Sequence, residues 1–241
     1  MLHVGVAEFI VAATAVLIGS VVQGSIGFGV NLLAAPFVAI VVPEALPATM
    51  TLVALPIAIT TVRREHHAVD RLALPWMLAG AVPGTLIGLA VVSEVSGESL
   101  ALVVGLITLV GVVLSTVVPP LPHRASAAFG AGFLSNIFGT ASSVGGPPVA
   151  LLFQHREGPT ARSTLGAFFT ISAAMSLIGY TAAETITLDH LYFALGLAPF
   201  MIAGLWASRH LHPFVDSGWL RPAVLVLSAI AGAAAIVRGI A

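Results

Sequence analysis

Two stretches of this chain decide its fold: Gln23-Gly24-Ser25-Ile26-Gly27-Phe28-Gly29, and Gly139-Thr140-Ala141-Ser142-Ser143-Val144-Gly145-Gly146-Pro147-Pro148. Each interrupts an apolar run, the first spanning about 7–42 and the second about 125–154. Glycine is conformationally permissive and proline lacks an N–H, so a regular helix does not pass through either stretch unbroken. At membrane depth no water is present to bond the freed backbone, and a break survives only where protein or a cavity satisfies it. Two such breaks in one small chain therefore mark a built interior.

Outward from the breaks the sequence is a series of apolar segments. Six read as full crossings, at about 47–62, 73–92, 99–118, 161–181, 188–208 and 219–238. The interrupted pairs 7–22/30–42 and 125–137/147–154 read as couples of shorter arms, broken pairs that are either re-entrant hairpins or full crossings. Composition agrees: 19 of 241 residues are charged and 58% are hydrophobic, whereas a soluble domain carries roughly 25% charged residues. Repeated apolar runs of ~18 residues or more suit a hydrocarbon core ~30 Å thick. The expected fold is an all-α polytopic membrane protein forming one membrane domain over residues 1–241. The segment Met1-Leu2-His3-Val4 lacks a positive n-region, so the first apolar stretch is read as part of the mature chain. A net charge of −1 without a basic block gives nucleic acid nothing to bind, and the absence of cysteine excludes a disulfide framework or a thiolate nucleophile.

The two halves, about 1–120 and 121–241, echo one another. An offset of 112 places Gly27 on Gly139, Asn31 on Ser143, Pro36 on Pro148 and Pro47 on Pro159. With four more residues inserted, Pro83 meets Pro199 and Gly88 meets Gly204. Each half is then a broken pair followed by three spans. In the first half Arg63, Arg64 and Arg71 precede Glu94 and Glu98; in the second, Glu184 and Asp189 precede Arg209 and Arg221. Under the positive-inside rule corresponding loops lie on opposite sides of the membrane, which is the signature of inverted repeats. With hairpins at the breaks, eight of the nine arginines, all but Arg238, fall on one face and both termini face outward.

In inverted-repeat transporters, discontinuous helices meet near the midplane and form the substrate site. The second arm of each pair starts there, with unpaired N–H groups and a partial positive charge that suit an anion. The expected binding residues are Gln23, Gly24, Ser25, Gly27, Gly29 and Asn31 from the first break, and Asn136, Gly139, Thr140, Ser142, Ser143, Gly145 and Gly146 from the second. The side chains among them are neutral hydrogen-bonders, able to replace part of an anion's hydration. The competing reading is that the glycines only let helices pack closely, which is also the reading given to Gly80, Gly84 and Gly88. The sets Glu65/His66/His67/Asp70 and His210/His212/Asp216 read as polar loops beside arginines, so neither a metal nor a cofactor is expected. Gly24-x-x-Gly27-x-Gly29 follows no strand and is not a dinucleotide fingerprint, and no Ser/His/Asp set shares a site, so an enzyme is not expected. Glu8 and Glu44 read as interfacial, which leaves proton or sodium coupling open.

Both breaks, with Pro36 and the Pro83/Gly88 and Pro199/Gly204 spacing, make the chain resemble the sulfite exporter TauE/SafE family, also grouped as sulfonate uptake permeases. That resemblance implies transport of sulfite, sulfonates or related sulfur-containing anions at the bacterial inner membrane, and two inverted repeats are expected to carry it out by alternating access. Ser142-Ser143 stands here where family members often show a denser glycine run. The rival readings are a channel or facilitator for another small solute, and a membrane accessory protein that transports nothing. Oligomeric state, a homodimer included, stays open.

Overall fold

The computed structural model describes residues 2, 4–95, 97–215 and 220–240. Ten α-helices are described: α1 Val6–Ile26, α2 Val30–Val41, α3 Ala48–Glu65, α4 Ala73–Glu94, α5 Gly97–Val117, α6 Ala125–Ser142, α7 Gly146–Ala150, α8 Gly158–Ala182, α9 Leu188–Val215 and α10 Leu220–Ile240. No strand occurs among the described residues. The chain is thus all-α and polytopic, as expected.

Six described helices are long and apolar enough to cross a membrane, but they are not quite the six expected. Val6–Ser25 joins the set and the 47–62 segment leaves it. Hydropathy breaks the first run near residue 22 because Ser20 and Gln23 are polar, yet both are buried and the helix continues to Ile26. At 21 residues α1 is about 31 Å long. The helix α3 has 18 residues but ends in Arg63, Arg64 and Glu65. The interrupted pairs are therefore not couples of short arms. Each has a long first arm, of 21 and 18 residues, and a short second one, of 12 and 5.

Polar and apolar residues are distributed as lipid demands. Large apolar side chains such as Ile18, Leu86, Ile178, Ile202 and Ile230 are exposed, while Ser20, Gln23, Thr51, Thr85, Ser135, Asn136, Thr140 and Ser176 are buried. Hydrocarbon is as apolar as leucine, so helices here gain by close approach of small residues and by bonds between their polar groups. The glycine stripe on α4 does the former. A Cβ at Gly80 would lie 2.1 Å from the Phe129 carbonyl oxygen, and one at Gly84 2.4 Å from that of Phe133, so α4 and α6 touch backbone to backbone. His190 illustrates the latter: its Nδ1 accepts from the Thr187 amide at 3.1 Å, and its Nε2 then donates to the Glu44 carbonyl at 3.0 Å.

The main helix contacts pair one half with the other: α1 with α9, α4 with α6, α3 with α8 and α5 with α10. Exchanging the halves turns the α1–α9 contact into the α6–α4 contact, and the lesser α4–α8 contact into α9–α3. Individual residues follow. Gly88 lies against Asn136, Ile137 and Thr140, and Gly204 against Leu17, Ser20 and Val21. Gly88/Gly204, Ser20/Asn136 and Val21/Ile137, with Gly80/Gly196 and Pro83/Pro199, share an offset of 116. So do the residues that end the first arms, Gly27 and Ser143, and those that precede the second arms, Gly29 and Gly145. The offset of 112 is thus a mismatch at the breaks, produced by glycine and proline recurring in both.

Candidate functional site

The first break is a three-residue link. At its start the Gly27 amide donates to the Gln23 carbonyl at 2.8 Å, with φ at +93°. Gly29, with φ at +117°, then caps α2. Left-handed backbone is the ordinary way to stop a helix, and glycine adopts it without a steric penalty. At Gly27 the surroundings also exclude a side chain, since a Cβ would fall 2.8 Å from Cγ and 3.0 Å from Cα of Arg162. The Gln23 side chain reaches back across the gap, its Oε1 accepting from the Val30 amide at 3.0 Å. The next α2 amides, of Asn31 and Leu32, have no helix carbonyl to bond and carry the positive end of the helix dipole.

The second break is built differently. Ser143, not glycine, takes the left-handed position with φ at +64°, and its amide donates to the Gly139 carbonyl at 2.7 Å. Its Oγ lies 2.8 Å from the Pro47 carbonyl oxygen and 3.2 Å from Thr51 Oγ1, which is itself 3.0 Å from that carbonyl. Ser135 Oγ donates to the Gly145 carbonyl at 2.5 Å, and Asn136 Nδ2 to Thr85 Oγ1 at 2.7 Å. Thr140 and Ser176 bond hydroxyl to hydroxyl at 2.8 Å, and Tyr180 donates to the Thr140 carbonyl at 2.5 Å. Its second arm, α7, has five residues and starts Gly146-Pro147-Pro148, so two of its first three positions have no N–H to offer. The two second arms therefore differ: α2 presents a longer helix N-terminus with more free amides than α7 does.

Between the breaks lies a cavity of about 70 Å³. A single water needs ~10–15 Å³ on this measure, so the space suits a small ion or a few waters. Gln23, Gly29, Asn31, Asn136, Gly139, Thr140, Ser143, Gly145 and Gly146 line it, nine of the thirteen residues singled out in the sequence. The other four lie elsewhere. Gly24 packs against Ser208 of α9, where a Cβ would sit 2.2 Å from the hydroxyl oxygen. Ser25 Oγ donates to the Val21 carbonyl, Gly27 faces Arg162, and Ser142 Oγ bonds the Phe138 carbonyl and the Val144 amide. The lining also includes Thr51, Ser135 and Ser176, with Phe169 and Ala173 from α8. A hydroxyl inside an apolar span was the available signal for Thr51 and Ser176, and adjacency to Asn136 for Ser135; Phe169 and Ala173 had none.

Among the described residues, none that lines it is ionisable. Whatever charge this cavity holds must be balanced by dipoles: the α2 N-terminus, the Gln23 amide and the hydroxyls. Asn31 bonds the Met50 carbonyl through Nδ2 at 3.3 Å, while its Oδ1 is buried without a partner.

The polar loops have other occupations. Glu65 holds Arg162 through two bonds, at 2.5 and 3.2 Å. Asp70 Oδ1 accepts from the Leu72 and Ala73 amides, both at 3.0 Å, and Oδ2 lies 2.7 Å from His123 Nε2. Burial pulls the Asp70 carboxyl upward, but the Ala73 and Leu72 amides and His123 outweigh it and hold it below its usual range. Among the described residues no group of acids and histidines is placed to hold a metal. The side chains of His210, His212 and Asp216 lie outside the described residues.

Fold and cavity together define a multi-pass membrane protein whose polar groups converge on a small chamber. The model of the family "Sulfite exporter TauE/SafE" matches residues 11–235, nearly the whole chain, and the protein belongs to that family. It is accordingly a membrane transporter of the sulfite or sulfur-anion type, in a family of transporters and not of enzymes, with a small anion and the lipid bilayer as its partners. Neither the curated proteins nor the solved structures yield a match.

Proposed function

We propose that the protein carries sulfite or a small organosulfonate by alternating access, with the anion held in the cavity between the two breaks. The observation that supports this most is the lining: nine residues of two distant sequence breaks share one chamber without an ionisable group among them. A neutral chamber binds an anion through partial charges, strongly enough to admit it and weakly enough to release it. The α2 amides and the Gln23 amide are the groups best placed for the sulfur oxyanion, because the hydroxyls of the second break are already engaged with protein acceptors. The exchange pattern of helix contacts suits two halves inserted in opposite senses, so that the chamber is reached alternately from each side. The bacterial inner membrane is the expected location.

Counterflow tests it. Purified protein in liposomes preloaded with unlabelled sulfite should accumulate labelled sulfite above empty liposomes, and sulfonates or thiosulfate outside should compete where acetate does not. Uptake equal to empty liposomes, from protein that elutes as a single folded species, removes the sulfur-anion assignment. Uptake that never saturates favours a channel.

A further inference from the structure

Three cavities follow one another through the first break. The central chamber shares Gly29 and Leu32 with a small space of about 20 Å³, and that space shares Phe28 and Ser115 with a third cavity of about 220 Å³. The third cavity is largely apolar but carries polar groups, with Ser25, Gln154, Arg156 and Arg162 in its wall. Arg162 is neutralised by Glu65, whereas Arg156 is exposed at the rim and gives the cavity its positive character. The middle space is a neck. It is walled mainly by Val22, Phe28, Leu32, Val224 and Leu225 and is barely larger than one water.

Phe28 stands where this neck meets the wider cavity. It is the single residue between Gly27 and Gly29, both in left-handed backbone. Flanking glycines free the backbone on either side of it to rotate, which no other pair of residues would do at so small a cost. Its ring rests on Gly146 of the opposite break, where a Cβ would lie 2.9 Å from Phe28 Cδ2. Gly146 in turn lines the central chamber. One aromatic ring thus touches both breaks and separates an arginine-bearing cavity from the chamber.

We infer that the Arg156 cavity is the anion's vestibule and that Phe28 is the gate between it and the central chamber. The inference rests on the proposed transport function for its biological meaning. An apolar constriction excludes ions by failing to hold water, so swinging the ring off Gly146 wets the neck and opens the route. Arg156 raises the local anion concentration outside the gate, an effect that weakens as salt screens it.

The chain has no cysteine, so single cysteines report access directly. Ser176→Cys places a thiol in the chamber and Gln154→Cys one in the vestibule; each is treated with the anionic reagent sulfonatoethyl methanethiosulfonate. With Phe28 present, Ser176→Cys should react slowly and Gln154→Cys quickly. Adding Phe28→Ala should speed the chamber thiol about tenfold or more, and Phe28→Trp should slow it, while the vestibule thiol keeps its rate. Arg156→Gln should slow Gln154→Cys towards this reagent and speed it towards the cationic trimethylammonioethyl analogue. Equal chamber rates whether Phe28 is kept or replaced by alanine or tryptophan, or no chamber reaction in any of the three backgrounds, overturn the gate. If Phe28→Ala does not give folded protein, the Phe28→Trp comparison decides alone. Labelling needs no transport, so a changed rate without sulfite counterflow would sink the transport reading and keep the gate; counterflow with unchanged labelling would do the reverse.

Discussion

The two breaks occupy equivalent places in the two halves, yet they solve the same problem with different chemistry. The first ends α1 with glycine and keeps a twelve-residue second arm, whose leading amide is bonded by Gln23. The second ends α6 with a left-handed serine, shortens its second arm to five residues and removes N–H groups with Pro147 and Pro148. One break is left with backbone donors to offer; the other holds itself together through Ser135, Ser143, Thr51 and Thr140. The difference teaches that equivalence of position in a repeat does not carry equivalence of role: on this account the first break supplies anion binding and the second supplies the wall.

Substitutions should expose that division. The largest effect belongs to Gly27→Ala. It adds left-handed strain of roughly 1–2 kcal/mol and overlaps Arg162, and overpacking costs about 1–3 kcal/mol more. A thermal-melt assay in detergent should show a marked loss of stability or no folded protein. Next is Gln23→Ala, which removes an amide from the chamber and the cap of α2. It should weaken sulfite binding about tenfold, near 1.4 kcal/mol, with the larger part of its effect in affinity and not in melting temperature. Asp70→Ala touches neither break and serves as a contrast. It strips two cap bonds from α4 and the contact with His123, costing about 1 kcal/mol of stability and leaving affinity unchanged. Because the folded carboxyl sits below its ordinary value of 3.8, its contribution is complete above that value and is lost as the pH falls through the lowered one. A wild-type melting temperature that exceeds that of Asp70→Ala at neutral pH should therefore converge with it in strong acid. Smallest is Ser143→Gly, where relief of the left-handed strain offsets the lost bond to Pro47. Its stability should stay within about 1 kcal/mol of wild type, and its affinity within a factor of about three.

Much of this architecture was legible in the residues. Apolar runs, sparse charge and the Gly/Ser-rich interruptions locate the membrane class and both breaks, because lipid imposes so few solutions on a backbone. Misplacement came where polar side chains sit inside a helix: Ser20 and Gln23 look like the end of a span, but both are buried, Gln23 bonds the Val30 amide, and α1 runs on to Ile26. The repeat register slipped by four because glycine and proline match one another readily in a break rich in both. What fixes it is backbone conformation, Gly27 and Ser143 both left-handed, and a letter comparison does not see that. Within the site, Gly24 and Gly27 were equally plausible as ligand contacts or packing glycines; only the neighbours Ser208 and Arg162 decide the matter. The contribution of α3 and α8 through Thr51, Phe169, Ala173 and Ser176 depends on how those helices meet, which no local pattern in either one encodes.

The central claim is that a sulfur anion binds between the breaks and is held chiefly from the first. Equilibrium binding of radiolabelled sulfite to purified protein, compared between wild type, Gln23→Ala and Ser143→Gly, tests it most directly. The account predicts saturable binding to wild type, a loss of about tenfold in Gln23→Ala and little change in Ser143→Gly. Wild-type affinity in Gln23→Ala, or a larger loss in Ser143→Gly, would contradict it.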